Sequence, residues 1–329
     1  MSEPQKKEKK QPMVILTGPT AVGKTKLSIS LAKSIDGEII SADSMQVYRH
    51  MDIGSAKIKP EEMKGVPHHL IDILDPEVPF SVALFKNYAE KALTEIYERG
   101  HIPIVSGGTG FYIQALLRNI DFNGENNTSE GKENSGEYRR ELEKLADENG
   151  AEYLHEMLRT VDPVSAVSIH ANNVKRTIRA LEFYHLEGRR ISEHNLQEKQ
   201  KENAYNACYF VLNDDRERLY SRIEQRIDEM LEEGLVEEVR KLKEAGCSRN
   251  MVSMQGLGYK EILAYLDGET SLEEAIEILK RDTRHFAKRQ LTWFRRERDV
   301  IWIQKNEFDY NEERMLEFML DKMREHHIL

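Results

Sequence analysis

A chain of 329 residues has ample material for a packed core in one or two domains, and 39% hydrophobic with 32% charged residues is the make-up of a soluble globular protein. No apolar run approaches the ~18 residues of a membrane span, and the polar, basic start MSEPQKKEKKQP lacks the apolar segment of a secretory signal. The net charge of −10 argues, as a sum, against nucleic-acid binding, while Cys208 and Cys247, far apart and without metal spacing, imply a reduced, cytosolic setting.

Residues 1–11 read as a disordered tail. Val14, Ile15 and Leu16 form a short apolar strand, followed by Gly18-x-x-x-x-Gly23-Lys24-Thr25 and an amphipathic helix carrying Leu27 and Leu31. Strand, glycine loop and helix in that order are the context a P-loop requires. Gly18 and Gly23 let the backbone curl so that successive N–H groups share one concavity, with Pro19, Thr20, Ala21 and Val22 completing the loop. The helix N-terminus adds its positive dipole end, Lys24 brings a mobile cation, and the Thr25 hydroxyl can ligate Mg²⁺. The motif specifies a polyphosphate without choosing ATP.

Glu38–Ala42 reads as a second strand ending at Asp43-Ser44-Met45-Gln46-Val47-Tyr48. The carboxyl ends of strands in open α/β sheets face the ligand crevice, which puts Asp43 near the phosphate loop. Asp43 is there either a general base or Mg²⁺-linked acid, or a cap on the turn; position alone does not choose. A third strand is expected over Pro67–Ile73, where adjacent His68 and His69 point to opposite faces and suit structural roles. Ser81–Arg99 is a helix ended by Gly100, and His101–Ser106 a fourth strand, followed by Gly107-Gly108-Thr109-Gly110-Phe111-Tyr112. Such a glycine cluster lets another chain or a ligand approach the backbone closely. This strand ends without the acid an ATPase would place here, leaving Asp72 as a weak candidate.

Residues 121–136, DFNGENNTSEGKENSG, form a polar, low-complexity stretch expected to be a mobile connector. Helical segments follow over Glu137–Asn149, Ala151–Thr160 and Asn172–Leu186, making an insertion that ends near Asn203. Lys175, Arg176, Arg179, Arg189 and Arg190 make it basic, which is either a binding surface or a solvated helix face. Strand character returns over Ala207–Leu212, and Asp214 with Glu217 is expected to open a helix carrying Arg222 and Arg226 on one face. A further helix ends at Gly246, and Ser253–Lys260 is a glycine-punctuated loop. Ser271 with Glu274 starts a long helix to about Arg296. Its segment Arg281–Arg298 has seven basic and two acidic residues with Phe286, Trp293 and Phe294 interleaved, which suits a surface that tracks a nucleic-acid backbone and stacks on bases. An amphipathic core helix accounts for the same spacing. Asp299–Gln304 is a closing strand and Glu312–Arg324 a final helix.

Taken together, Gly18–Thr25, Ile40–Tyr48, Met51–Lys57, the His-His-Leu-Ile-Asp run, Gly107–Tyr112, Arg176–Glu182 and Lys288–Arg295 resemble the tRNA dimethylallyltransferases, also called tRNA isopentenyltransferases, over roughly residues 12 to 305. The basic tail and the expanded connector depart from the usual bacterial pattern. The fold expected is α/β, a P-loop NTPase-like parallel sheet flanked by helices and built from residues 12–120 and 204–329, with a mostly helical insertion over 121–203. The resemblance implies transfer of a dimethylallyl group from dimethylallyl pyrophosphate to N6 of the adenosine next to the anticodon, by a cytoplasmic monomer that uses Mg²⁺ and needs no membrane. It makes Asp43 the base, gives the pyrophosphate to the loop residues Gly18 to Thr25 with Arg226, and gives the metal to Thr25. It places tRNA contacts at Asp43, Ser44, Met45 and Gln46, at Lys175, Arg176 and Arg179, and at Gln255, Gly258, Tyr259 and Lys260. Lys288, Arg289, Gln290, Trp293 and Arg295 complete them, with Thr109 and Arg139 as further additions. A P-loop small-molecule kinase and a nucleotide-gated RNA-binding protein are the alternatives.

Overall fold

The computed structural model describes residues 10–122 and 129–329, the side chains of 129–135 excepted, so residues 1–9 of the expected tail and 123–128 of the expected connector lie outside the described residues. Strand β1 (Pro12–Thr17) is buried from Met13 onward because it has a parallel neighbour on each side: β4 (Ile102–Gly107) and β5 (Asn206–Asn213). With β2 (Gly37–Ala42), β3 (His68–His69) and β6 (Val300–Gln304) they form a six-stranded sheet in the order β3-β2-β4-β1-β5-β6, parallel at every ladder. Burial on both faces explains the near-continuous apolar runs of the inner strands. The register sets Thr17 against Gly107 and Val211, and Ala42 against Gly107, so the functional loops all leave the same edge.

Several boundaries differ from the sequence reading. The third strand is only two residues long, because Leu70 and Asp72 adopt positive φ (65° and 54°) and break the ladder. Lys10 and Gln11 are tied in, with Lys10 Nζ donating to Asn203 O at 2.6 Å and Gln11 O accepting from Asn206 N at 2.9 Å. Asp214 does not open a helix: α9 (Arg216–Glu233) is preceded by Asp215, and the buried Asp214 accepts from the Asp215 N–H at 2.8 Å and pairs with Lys305 Nζ at 3.6 Å. Two serines cap helix starts, of which Ser271 was expected. Ser81 caps α2 (Val82–Glu98), and Ser271 caps α12 (Leu272–Phe294), accepting from Glu274 N at 3.1 Å.

The chain divides into two compact units, one running to Leu117 and resuming at Asn203–Leu329, the other spanning Arg118–Glu202. The first holds the sheet and also α1 (Lys24–Ile35), α3 (Gly110–Leu117), α10 (Leu235–Glu244), α11 (Tyr259–Leu266) and α13 (Glu312–Glu325). The second contains α4 (Ser129–Asn149), α5 (Ala151–Val161), α6 (Pro163–Ser168), α7 (Val174–Glu187) and α8 (Ile191–Gln200). Helix α4 thus begins inside the stretch read as a connector. Leu142, Leu154, Leu158, Ile178 and Leu181 make this unit's own core. Its buried Asp162 joins α6 to α8 by accepting from the N–H and hydroxyl groups of both Ser165 and Ser192, at 2.7–3.0 Å.

Candidate active site

At the carboxyl edge of the sheet the first unit encloses a cavity of about 700 Å³. One side is the P-loop. Gly18 (φ 150°) turns where a Cβ would overlap Leu212 O, and Gly23 (φ 101°) precedes α1 in the left-handed region. Ala21 holds a left-handed φ of 61°, a cost no glycine relieves. Cations hold the loop carbonyls: Lys24 Nζ donates to Gly18 O (3.0 Å) and Pro19 O (2.8 Å), Arg222 Nε to Ala21 O (2.8 Å) and Lys305 Nζ to Val22 O (3.2 Å). With these four carbonyls engaged and the Thr20 N–H given to Gln290 Oε1 at 2.9 Å, it is the other loop N–H groups that can be offered to an anion. Thr20, Ala21, Gly23, Lys24 and Thr25 line the cavity, whereas the Val22 side chain is fully buried in the core.

The electrostatics suit a polyanion. Burial lowers the Lys24 ammonium to about 8; the nearby Arg226 pushes the same way and Asp43 opposes both. Burial also lowers Arg226, with Asp43 again opposing. Two cations strained by desolvation and mutual repulsion gain most from a bound pyrophosphate-like group. The exposed Thr25 hydroxyl stands beside them, and among the described residues no cluster of three or more His, Cys, Asp or Glu side chains could hold a metal. A P-loop hydroxyl of this kind can hold Mg²⁺ together with phosphate oxygens and waters that a ligand would bring.

Asp43 lies on the cavity wall at the end of β2. Its Oδ1 accepts from Met45 N at 2.8 Å and from Gln46 N at 3.4 Å, so the turn-capping role expected as one alternative is real. One oxygen is enough for that turn. Ser44, Met45 and Gln46 line the same wall, with Gln46 Oε1 accepting from Ser41 Oγ at 3.2 Å. Ile39, Ile58, Ile71, Met230, Leu257 and Phe286 give the cavity an apolar side.

The other expected residues fall into three groups. Thr109, Arg226, Gln255, Gly258, Lys260 and Arg289 line the cavity, as does Gln290. Lys288 on α12 and Arg295 just past its end are exposed, and Lys175, Arg176 and Arg179 are exposed in the second unit, where Arg139 pairs with Glu182 at 3.2 Å and Glu143 at 3.4 Å. Tyr259 is corrected: it is fully buried, its hydroxyl donates to Glu238 Oε1 at 2.8 Å and accepts from Ser55 N at 3.1 Å, so it supports the wall and has no surface to offer RNA. Trp293 is half-buried: its indole packs where a Cβ on Gly110 would sit and meets Phe111 edge-on at 6.2 Å. The glycine cluster therefore admits a helix. Asp72 is engaged with the buried Lys57, together with Asp52, so the acid a kinase would need is already used. Sequence reasoning did not assign Arg222, Lys305 or His68 to the site. Arg222 was visible one turn before Arg226, whereas nothing local marks Lys305.

A parallel α/β fold with a P-loop whose cavity joins a cationic end, a carboxylate and an apolar wall defines a P-loop enzyme for a polyphosphate-activated, partly apolar substrate. The family model described as IPP transferase matches residues 46–297, and that described as isopentenyl transferase matches residues 12–75. A tRNA dimethylallyltransferase of Lachnoclostridium phytofermentans is 62% identical over 92% of this chain and 93% of its own. The tRNA isopentenylpyrophosphate transferase structure from Bacillus halodurans is 45% identical, covers 97% of this chain and 98% of its own, and superposes with a TM-score of 0.71. A eukaryotic dimethylallyltransferase acting on tRNA is 30% identical over 89% of this chain and 74% of its own, with a TM-score of 0.75. The chain belongs to the IPP transferase family.

Proposed function

We propose that this chain transfers the dimethylallyl group of dimethylallyl pyrophosphate to N6 of the adenosine next to the tRNA anticodon, releasing pyrophosphate. The observation that carries this reading is the single cavity that joins the P-loop cations, Asp43 and an apolar wall. The N6 lone pair is delocalised into the purine, so the amine is a poor nucleophile. As the N6–C1 bond forms and the C1–O bond breaks, Asp43 takes the N6 proton, a contribution of about 10²–10⁴-fold for a positioned base. The departing pyrophosphate carries the bonding electrons away, and Lys24, Arg226 and the loop N–H groups stabilise its charge. Mg²⁺, held by the Thr25 hydroxyl, supplies further neutralisation of the phosphate oxygens when bound. Ile39, Ile58, Ile71 and Phe286 suit the five-carbon group, and their side of the cavity excludes water that would otherwise consume an allylic electrophile.

The target base must leave the anticodon stack, at a cost of a few kcal/mol that RNA contacts offset. Lys288 and Arg289 on α12 with Arg295 at its end, and Lys175, Arg176 and Arg179 in the second unit, are assigned to those contacts. No helix among the described residues is long and apolar enough to cross a membrane; a cytoplasmic monomer accords with this reading. The test is a transfer assay with Mg²⁺, radiolabelled dimethylallyl pyrophosphate and unmodified tRNA carrying adenosines at 36 to 38, with labelled ATP in parallel. Label mapped to the base 3′ of the anticodon is expected. Phosphoryl transfer or ATP hydrolysis with no prenylated RNA would overturn the reading.

A further inference from the structure

We infer that Gln290 is a positioning residue that ties the RNA-facing helix α12 to the donor loop and to the strand end bearing Asp43. The inference rests on the reaction proposed above. Gln290 stands beside exposed Lys288 and Arg289 in a highly charged stretch, yet it is only 6% exposed. A buried amide is costly unless its polar atoms are paired, and both ends of this one are. Oε1 accepts from Thr20 N of the P-loop at 2.9 Å, and Nε2 donates to Gly108 O at 3.0 Å. Glu would lack the donor, Lys the acceptor and Leu both.

The fit is close enough to transmit movement. A Cβ on Gly108 would overlap Gln290 Nε2, and one turn along α12 Trp293 occupies the space a Cβ on Gly110 would need. From Gly108 the connection continues, since the next residue, Thr109, donates its N–H to Ala42 O at 3.2 Å, and Ala42 precedes Asp43. One side chain thus holds the phosphate loop by its acceptor and the base-bearing strand end by its donor. The helix turn that presents Lys288 and Arg289 to RNA is the turn that carries it, so seating the anticodon arm on α12 sets the geometry of both reacting partners.

Two variants separate the two halves. Gln290→Glu keeps an acceptor for Thr20 N but sets a carboxylate against Gly108 O; Gln290→Leu loses both bonds. On the full-length protein, calorimetry with Mg²⁺ and inorganic pyrophosphate reads the donor loop, anticodon stem-loop affinity reads the RNA surface, and steady-state transfer reads kcat and the donor KM. Gln290→Leu is expected to weaken pyrophosphate binding and raise the donor KM roughly tenfold. Gln290→Glu should keep pyrophosphate affinity near wild type while kcat falls roughly tenfold. Stem-loop affinity should stay within about twofold for both. Gly108→Ala, which crowds the same contact from the other side, should lower kcat in the same way and carries the test if Gln290→Leu does not fold. Loss of stem-loop affinity with an unchanged donor KM would overturn the inference, making Gln290 an RNA contact. A fall in every parameter that tracks the melting temperature in all variants would reduce it to packing. A wild-type protein that fails to prenylate tRNA refutes the reaction itself, whereas active wild type with variants indistinguishable from it refutes only the role of Gln290.

Discussion

In the proposed reaction Asp43 has two tasks, turn and base, one for each oxygen. Oδ1 closes the turn to Met45 and Gln46, so alanine would remove turn and base together, whereas Asp43→Asn keeps the acceptor for the Met45 N–H. Asp43→Asn is therefore expected to bind stem-loop RNA normally and to lose about 10²–10⁴-fold in single-turnover transfer; activity within tenfold of wild type would remove Asp43 as the base. Lys24 provides a pH signature. Because burial and Arg226 lower its ammonium to about 8, the cation needed for the donor is lost as pH rises through that value in the donor-free protein. The donor KM should be flat below pH 8 and rise above it, and Lys24→Arg, which keeps its charge, should flatten that rise. A KM profile indifferent to pH in wild type between 7 and 9 would contradict the assignment.

Among the elements, α12 combines a buried side, Ala275, Leu279, Ala287, Gln290 and Phe294, with a basic exposed side. This explains how a protein of net charge −10 can address RNA: the field that matters is local. Each phosphate contact releases counterions, so Lys288→Ala should reduce the slope of log affinity against log salt by roughly one, with its largest deficit at low salt. An unchanged slope in a titration of stem-loop RNA would show that Lys288 touches no phosphate. In the second unit, the helix junction depends on one residue. Burial opposes ionisation of Asp162, but hydrogen bonds from Ser165 and Ser192 outweigh it and hold the carboxyl below its ordinary range. Asp162→Ala leaves those donors unmatched and should destabilise this unit by roughly 2–4 kcal/mol in chemical denaturation, read by a probe within residues 118–202.

At the scale of the molecule, the amino end of the sheet is held by charge and the carboxyl end is kept for chemistry. The Glu38 side chain at the start of β2 is almost wholly buried, yet it accepts from Arg99 Nε and Nη2 at 2.8 Å and pairs with His69 at 2.7 Å and His101 at 2.9 Å. Burial works against the carboxylate, but the bonds from Arg99 and His69 prevail and bring it from 4.5 to about 2. A carboxyl whose folded-state value is depressed stabilises the fold fully above its unfolded value and loses that contribution as pH falls through the folded one. Stability on the order of 3 kcal/mol should accordingly disappear between about pH 4.5 and 2. Glu38→Gln should be less stable at pH 7 and lack that part of the acid dependence in urea titrations. A variant with the wild-type acid profile would place the acid-sensitive group elsewhere.

Local patterns determined much of this protein. The P-loop, the apolar runs of the inner strands, the Ser271 cap and the basic-aromatic helix are each set by residues within one or two turns of one another, so periodicity and spacing suffice to find them. Asp43 was legible too, because strand ends in a parallel sheet face a common crevice. What depends on partners distant in sequence was decided only by the tertiary structure. Gln290 belongs to a stretch that reads as RNA-binding, yet it is buried against Gly108, which precedes it by some 180 residues, and burial there outweighs its residue type. Tyr259 is drawn inward by Glu238 and the Ser55 N–H, Asp72 is claimed by Lys57, and Lys305 reaches the P-loop from the carboxyl end of β6. No spacing rule encodes these pairings, because the free energy of satisfying a buried polar atom depends on which groups the fold brings within hydrogen-bond distance, and that is set by the packing of whole elements.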